Sequence, residues 1–285
     1  MAGHEALITL SEANDERLAA YRCLTDRALR EGIEGSQGVF IAEGRLAVAR
    51  LIASDVTICS LLIDERQVAS CDELVGGALH RGAPVYVAPQ DVIARTVGFA
   101  LHRGVVAAGR RPPDADGLAL THRLLTRADA PTFLVAEALN DHENLGALFR
   151  NAAALGAAAV LLDPRCADPL YRRSVRVSLG HVLSVPFGRL TPWPGALAEL
   201  RRAGVVLAAL APHAGDAAVA PAELAQRCAG RPVALLLGAE GPGLSHLALA
   251  EADVHVTIPM SANVDSLNVA TAAAIGLYAL TRPPE

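Results

Sequence analysis

The chain has 285 residues, 52% of them hydrophobic and 19% charged, with a formal net charge of −5. That is ample core for one large or two ordinary domains, which excludes a disordered chain; the acidic balance does not advertise a nucleic-acid binder. No uninterrupted apolar run reaches the roughly 18 residues of a membrane span, and residues 1–14, with Glu5 and Glu12, carry no basic-then-apolar signal pattern, so a cytoplasmic protein is expected.

The five cysteines (Cys23, Cys59, Cys71, Cys166, Cys228) are scattered and never form a CxxC pair, which argues against a disulfide framework or a zinc site. No metal is expected. All 25 basic residues are arginine. Arginine suits forked phosphate contacts and base stacking, although a genome that favours arginine codons gives the same composition.

In chain order, residues 15–30 read as an amphipathic helix with Asn14 as N-cap and Leu18, Tyr21, Leu24 and Ala28 as its apolar stripe. A strand–helix rhythm follows, with strands at Gly38–Ala42, Val56–Ile63, Pro84–Val87 and Val105–Ala108 and helices at Gly44–Ala53 and Cys71–His80. This predicts a compact α/β domain over residues 1–110. Residues 111–130 open with two prolines, charges and a glycine, and are expected to be a linker.

From Pro131 the rhythm is stronger. Strands are predicted at Thr132–Ala136, Ala158–Leu162, Leu183–Pro186, Val205–Leu210, Val233–Leu237 and Val254–Ile258, and helices at Leu145–Leu155, Leu170–Leu179, Gly195–Ala203 and Leu267–Leu280. Alternation at these spacings predicts a parallel sheet covered on both faces; taken alone it gives an open doubly wound sheet over residues 131–285.

Three turns of this second domain carry chemistry. Val233–Leu237 reads as a fully buried strand, and Gly238, Gly241 and Gly243 follow it, letting backbone approach a ligand. Val254–Ile258 reads as a second buried strand, followed by Pro259, a polar loop and a helix whose expected N-caps are Asp265 and Ser266. Such strand ends form either ordinary tight turns or the crevice where open α/β sheets bind ligands. In the third turn Asn144 and Gly146 open a helix that carries Arg150 among apolar neighbours; its cation calls for a structural carboxylate or a substrate phosphate. Arg165, Arg172, Arg173, Arg176 and Arg189 crowd one stretch, which is either a phosphate-binding face or a solvated helix surface.

Asn144-x-Gly146-x-x-x-Arg150-Asn-Ala, Gly238-x-Glu240-Gly-x-Gly243-Leu244, and Ile258-Pro259-Met260 with Ser266-Leu267-Asn268-Val269 resemble, in order and spacing, the three motifs of the SpoU/TrmH family of RNA ribose 2′-O-methyltransferases. The resemblance spans about residues 131–282. It implies a SPOUT α/β domain whose C-terminal segment forms a deep trefoil knot, a homodimer, and S-adenosylmethionine as cofactor. By motif it implies a cofactor pocket of Gly238, Gly243, Ile258, Met260 and Leu267 together with Leu210, and a catalytic cluster of Asn144, Arg150, Glu240, Ser266 and Asn268. Residues 1–110, with Phe40-Ile41-Ala42-Glu43-Gly44, are similar to the RNA-binding domain of many members, related to a ribosomal protein.

The expected substrate is a ribose 2′-hydroxyl of ribosomal RNA, with transfer RNA or a non-catalytic RNA-binding role as alternatives. Arg165, Arg172, Arg173 and Arg176 are the expected RNA contacts. His102, His142 and His213 are either bases or, as single histidines in turns more often are, surface or capping residues; Ser266 has no His/Asp pair for a hydrolase triad, and the glycine order reverses a dinucleotide fingerprint. The loop Ser261-Ala262-Asn263 departs from the family pattern, which usually has glycine there.

Overall fold

The computed structural model describes residues 6–25, 34, 37–101, 104–212, 218–261 and 263–281. The chain divides into two compact units, residues 1–112 with 170–184, and residues 113–169 with 185–285.

The first unit is a five-stranded mixed sheet of β1 (Leu7–Thr9), β2 (Val39–Glu43), β3 (Ile58–Asp64), β4 (Val85–Ala88) and β5 (Val105–Arg110), in the order β1-β4-β3-β5-β2. Strands β1 and β3 flank β4 in parallel, whereas β5 runs antiparallel to both β2 and β3. All five residues of β2 are buried. The helix expected over residues 15–30 is instead a 3-10 turn, Glu16–Tyr21, capped by Asp15 rather than Asn14; residues 26–30 lie outside the described residues. Its stripe was legible, since Leu18, Tyr21 and Leu24 are buried. Strand β1 and the helix Gln90–Val97 were not anticipated: three residues are too few to show a period, and Pro89 offers no capping side chain.

The second unit holds a six-stranded sheet of β6 (Thr132–Glu137), β7 (Ala159–Leu162), β8 (Phe187–Arg189), β9 (Val206–Leu210), β10 (Val233–Gly238) and β11 (Val254–Val256), in the order β11-β9-β10-β6-β7-β8. Every pairing is parallel, as the rhythm predicts. Helices cover both faces. Leu120, Leu197, Leu200 and Ala248 join Phe133, Val135, Leu161 and Leu236 in one core. The helix Val269–Thr281 lies against the other face, so closely that a Cβ on Gly276 would sit 2.6 Å from Leu235 Cδ2.

Several boundaries differ from expectation. The strand predicted at Leu183–Pro186 lies at Phe187–Arg189, because Pro186 has no N–H for a ladder and contributes only its carbonyl, which accepts from Val160 N at 3.0 Å. Strand β11 is three residues long, with Val256 buried and Val254 and His255 only partly so, as befits the sheet's edge. Part of the expected linker is helical, Gly117–Leu125, because Asp116 Oδ1 accepts from Leu118 N and Ala119 N at 2.8 and 3.1 Å. The short helices Pro221–Arg227 and His246–Glu251 escaped the periodicity reading. Among the described residues no helix is long and apolar enough to cross a membrane.

Candidate functional site

The C-terminal ends of β6, β9, β10 and β11 share one edge of the parallel sheet. Strand β10 is a run of small and branched apolar side chains; Val233–Leu237 are at most 2% exposed. At its end a Cβ on Gly238 would lie 2.1 Å from the Gly243 carbonyl carbon and 2.2 Å from Leu244 N. Only glycine tolerates that approach. Gly243 takes φ +70°, and its N–H donates to Ala239 O at 2.9 Å. The loop therefore folds back over its own strand, with Glu240 at the turn.

Between β11 and Asn268 the described residues form no helix or strand, and the segment is moored where Thr257 Oγ1 donates to Ala211 O at 3.0 Å. Asn263 takes φ +76°, a conformation asparagine tolerates and glycine would supply elsewhere; its neighbour Ala262 lies outside the described residues. The final helix is capped not by Asp265 or Ser266 but by Asn268, whose Oδ1 accepts from Ala270 N at 3.0 Å and Thr271 N at 3.3 Å.

Between these loops lies a cavity of about 630 Å³, within the ordinary range for a small-molecule site. Leu210, Gly238, Gly243, Ile258, Met260 and Leu267, the six residues expected around a cofactor, all line it. So do Glu240, Ser266 and Asn268 of the expected catalytic set, along with Leu237, Asp265 and Val269. Asn144 joins through a hydrogen bond: Asn268 Nδ2 donates to Asn144 Oδ1 at 2.7 Å and to Glu240 Oε1 at 3.1 Å. Asn144 is itself fixed by the start of the helix His142–Leu155, where Asp141 Oδ1 accepts from Glu143 N and Asn144 N, both at 2.8 Å. The three motifs thus meet at one asparagine.

A family model described as the SpoU rRNA Methylase family matches residues 131–278, the stretch that contains all of these turns. This chain belongs to the SpoU rRNA methylase family. A protein of Mycobacterium tuberculosis (strain CDC 1551 / Oshkosh), named as an uncharacterized tRNA/rRNA methyltransferase, is 46% identical over 95% of this chain and 90% of its own. The 23S rRNA (guanosine-2′-O-)-methyltransferase RlmB of Shewanella oneidensis is 30% identical over 78% of this chain and 87% of its own. The crystal structure of the SpoU methyltransferase AviRb from Streptomyces viridochromogenes is similar with a TM-score of 0.74 at 25% identity, covering 94% of this chain and 96% of that one.

One SpoU motif residue stands apart from the cluster. Arg150 lies on the helix His142–Leu155, exposed, and among the described residues it lines no part of the cavity and has no hydrogen bond or ion pair. Six helical residues separate it from Asn144, which is about 9 Å along the axis and about 120° around it.

Of the four arginines expected to face RNA, Arg165 and Arg172 are each engaged by carboxylates of their own unit. Arg165, in the second unit, donates from Nε to Asp163 Oδ2 at 2.9 Å and from Nη2 to Glu137 Oε1 at 3.0 Å, with both carboxylates buried. In the first unit Arg172 pairs with Glu43, lies 5.1 Å over the Phe99 ring and is largely buried. Arg176 is 3.8 Å from the same Glu43 and 41% exposed; Arg173 follows Arg172 on the same helix, Arg172–Val177. His142 is the first residue of its helix and does not line the cavity, and His102 and His213 lie outside the described residues. No group of three or more metal-ligating side chains occurs among the described residues. Asp141 and Asn268, the two helix caps, were not anticipated in that role; the signal for each is an Asx residue just ahead of an apolar run.

Proposed function

We propose that this chain is an S-adenosylmethionine-dependent methyltransferase acting on a ribose 2′-hydroxyl of RNA, and that the RNA is ribosomal. The observation that carries this reading is Asn268, whose side chain joins Asn144 and Glu240 beside the cavity. A binding protein has no need of that convergence.

The residues present suit the cofactor. Leu210, Leu237, Ile258, Met260 and Leu267 offer an apolar wall to an aromatic base, and the open backbone at Gly238 and Gly243 offers carbonyl and N–H groups without side chains between. When bound, the cofactor supplies a methyl group already activated on a sulfonium. The protein's own task is alignment and charge. Glu240 and Ser266 face the cavity and hold the nucleotide's polar edge, while Asn268 fixes Glu240 and Asn144 relative to one another. Arginine is too basic to serve readily as a general base, so Arg150 stabilises the adjacent phosphate and the developing oxyanion.

The family resemblance extends the proposal. The chain acts in the cytoplasm as a homodimer in which Arg150 of each copy serves a site built with its partner; the exposure of Arg150 and of the apolar Ile275 on the final helix supports this. The trefoil knot is supported by the path from β10 to β11 beyond β9 and back through Val269–Thr281 onto β10. Residues 1–110 are the RNA-selecting domain, residues 111–130 the connection, and residues 131–285 the methyltransferase domain, with Arg173 and Arg176 contacting RNA.

The test is calorimetric titration with S-adenosylhomocysteine, followed by methyl transfer to purified RNA and mapping of 2′-O-methylated positions in ribosomal and transfer RNA from cells with and without the gene. A methyl group lost from ribosomal RNA supports the proposal. One lost from transfer RNA alone redirects the substrate, and binding without transfer overturns the enzymatic reading.

A further inference from the structure

Glu137 ends β6 as a carboxylate only 2% exposed. A charge so deep requires partners, and it has three. Oε1 accepts from Trp193 Nε1 at 2.8 Å and from Arg165 Nη2 at 3.0 Å, while Oε2 accepts from the backbone N–H of Ser245 at 2.8 Å. Ser245 closes the glycine loop that begins at Gly238 and caps the next helix, its Oγ accepting from Ala248 N at 3.2 Å. Glu137 and Gly238 are register partners across β6 and β10. One carboxylate therefore stands beside the start of the loop and holds its end. The following residue, Ala138, takes φ +53°, a left-handed conformation costly for alanine, which turns the chain away from the sheet towards the Asn144 turn.

We infer that Glu137 is a positioning residue for the methyl-donor cavity: through Ser245 it sets the loop that carries Glu240 and Gly243 along the cavity wall, and Arg165 and Trp193 hold its carboxylate in place. This rests on the methyltransferase reading above. It assigns Arg165 an internal duty where the sequence pointed to RNA. It also accounts for the guanidinium's orientation, since Asp163 and Glu137 fix two of its nitrogens even though 60% of the side chain is exposed.

Three variants of the full chain test it. Glu137→Gln loses the charge that all three donors share. Ser245→Pro deletes the N–H together with the Oγ that caps the next helix, at a residue whose φ of −65° suits proline; Ser245→Ala, which loses the cap alone, is its control. Trp193→Phe removes one donor and leaves the link to Ser245 intact. The first two are expected to raise the dissociation constant for S-adenosylhomocysteine and the donor KM about tenfold, the size of one lost hydrogen bond to a charged group, with kcat moving much less. Trp193→Phe is expected to lower thermal stability while leaving donor affinity within about twofold. Because Trp193 is the chain's single tryptophan, its emission also reports the contact, and Glu137→Gln should shift it. If Glu137→Gln fails to fold, Ser245→Pro carries the test. Unchanged donor affinity in Ser245→Pro, or an equal loss in Ser245→Ala, overturns the positioning role while the methyltransferase reading stands. Failure of the wild-type chain to bind S-adenosylhomocysteine overturns both.

Discussion

The side-chain amide of Asn268 donates to Asn144 Oδ1 at 2.7 Å, across 124 residues of chain. The same amide nitrogen reaches Glu240, and the same side chain's oxygen caps the final helix. Two functions are thus divided between two atoms of one side chain, and substitution can separate them. Asn268→Asp keeps the capping oxygen but loses the donor and sets a second carboxylate against Glu240. Methyl transfer is expected to fall about 100-fold with thermal stability nearly unchanged. Asn268→Ala loses both, adding about 1 kcal/mol of destabilisation from the lost cap. Initial rates and thermal unfolding on the two variants, compared side by side, check the division.

Gly238 is a steric requirement. Any Cβ there would meet the backbone of Gly243 and Leu244 at 2.1–2.2 Å, and backbone cannot swing aside as a side chain does. Gly238→Ala is expected to push the loop off its strand, weakening S-adenosylhomocysteine at least tenfold and costing roughly 1–3 kcal/mol of stability. Calorimetric titration and urea unfolding measure the two effects; unchanged affinity would mean the loop does not form the wall.

Much of this was legible in the sequence. Apolar runs such as Val233–Leu237, and Phe133–Ala136 within the strand predicted at Thr132–Ala136, announced the parallel sheet, because a strand buried on both faces has few polar positions. Glycine and Asx punctuation located the turns. What escaped was whatever depends on partners far along the chain. Nothing local marks Leu7–Thr9 as a strand until β4 pairs with it. Arg172 looks like a surface cation until Glu43 and Phe99 close on it. Asn144 and Arg150 share a motif, yet helical geometry turns them apart.

Arg172 separates an internal ion pair from an RNA contact. Its side chain is 16% exposed and that of Glu43 9%, so truncation leaves a carboxylate buried without its main cation. Arg172→Ala is expected to destabilise the folded chain by about 3 kcal/mol with no RNA present. Denaturant unfolding of the free protein measures this, and a loss confined to RNA affinity would return Arg172 to the binding face.

Cys166 gives a pH signature. Burial, reinforced by the nearby Asp163 charge, pushes its thiol from 9.0 up to about 12. Its Sγ donates to Ala136 O at 3.2 Å and accepts from Leu139 N at 3.3 Å. A folded-state pKa raised above the unfolded value means that the thiol's contribution to stability is fully present below pH 9.0 and declines as pH rises towards about 12. Folded protein should resist alkylation at Cys166 at about pH 8, because the thiolate is the nucleophile. Urea unfolding between about pH 8 and pH 11 should show a shallower alkaline loss for Cys166→Ala than for the wild type. Mass-spectrometric mapping of the alkylated cysteines checks the first expectation independently.

Arg150 is exposed and has no hydrogen bond or ion pair among the described residues, so removing its charge should leave folding alone. Arg150→Ala is therefore expected to keep thermal stability and S-adenosylhomocysteine affinity and to lose roughly 3 kcal/mol in the transfer step. Unchanged turnover would remove Arg150 from the reaction. If Arg150 instead serves the partner's cavity, two impaired proteins should repair each other. After mixing and subunit exchange, Arg150→Ala with Gly238→Ala forms dimers in which an intact cavity faces an intact Arg150, and about a quarter of the wild-type sites regain function. Recovery on mixing places the guanidinium across the dimer; its absence, with exchange verified by mass, confines Arg150 to its own chain.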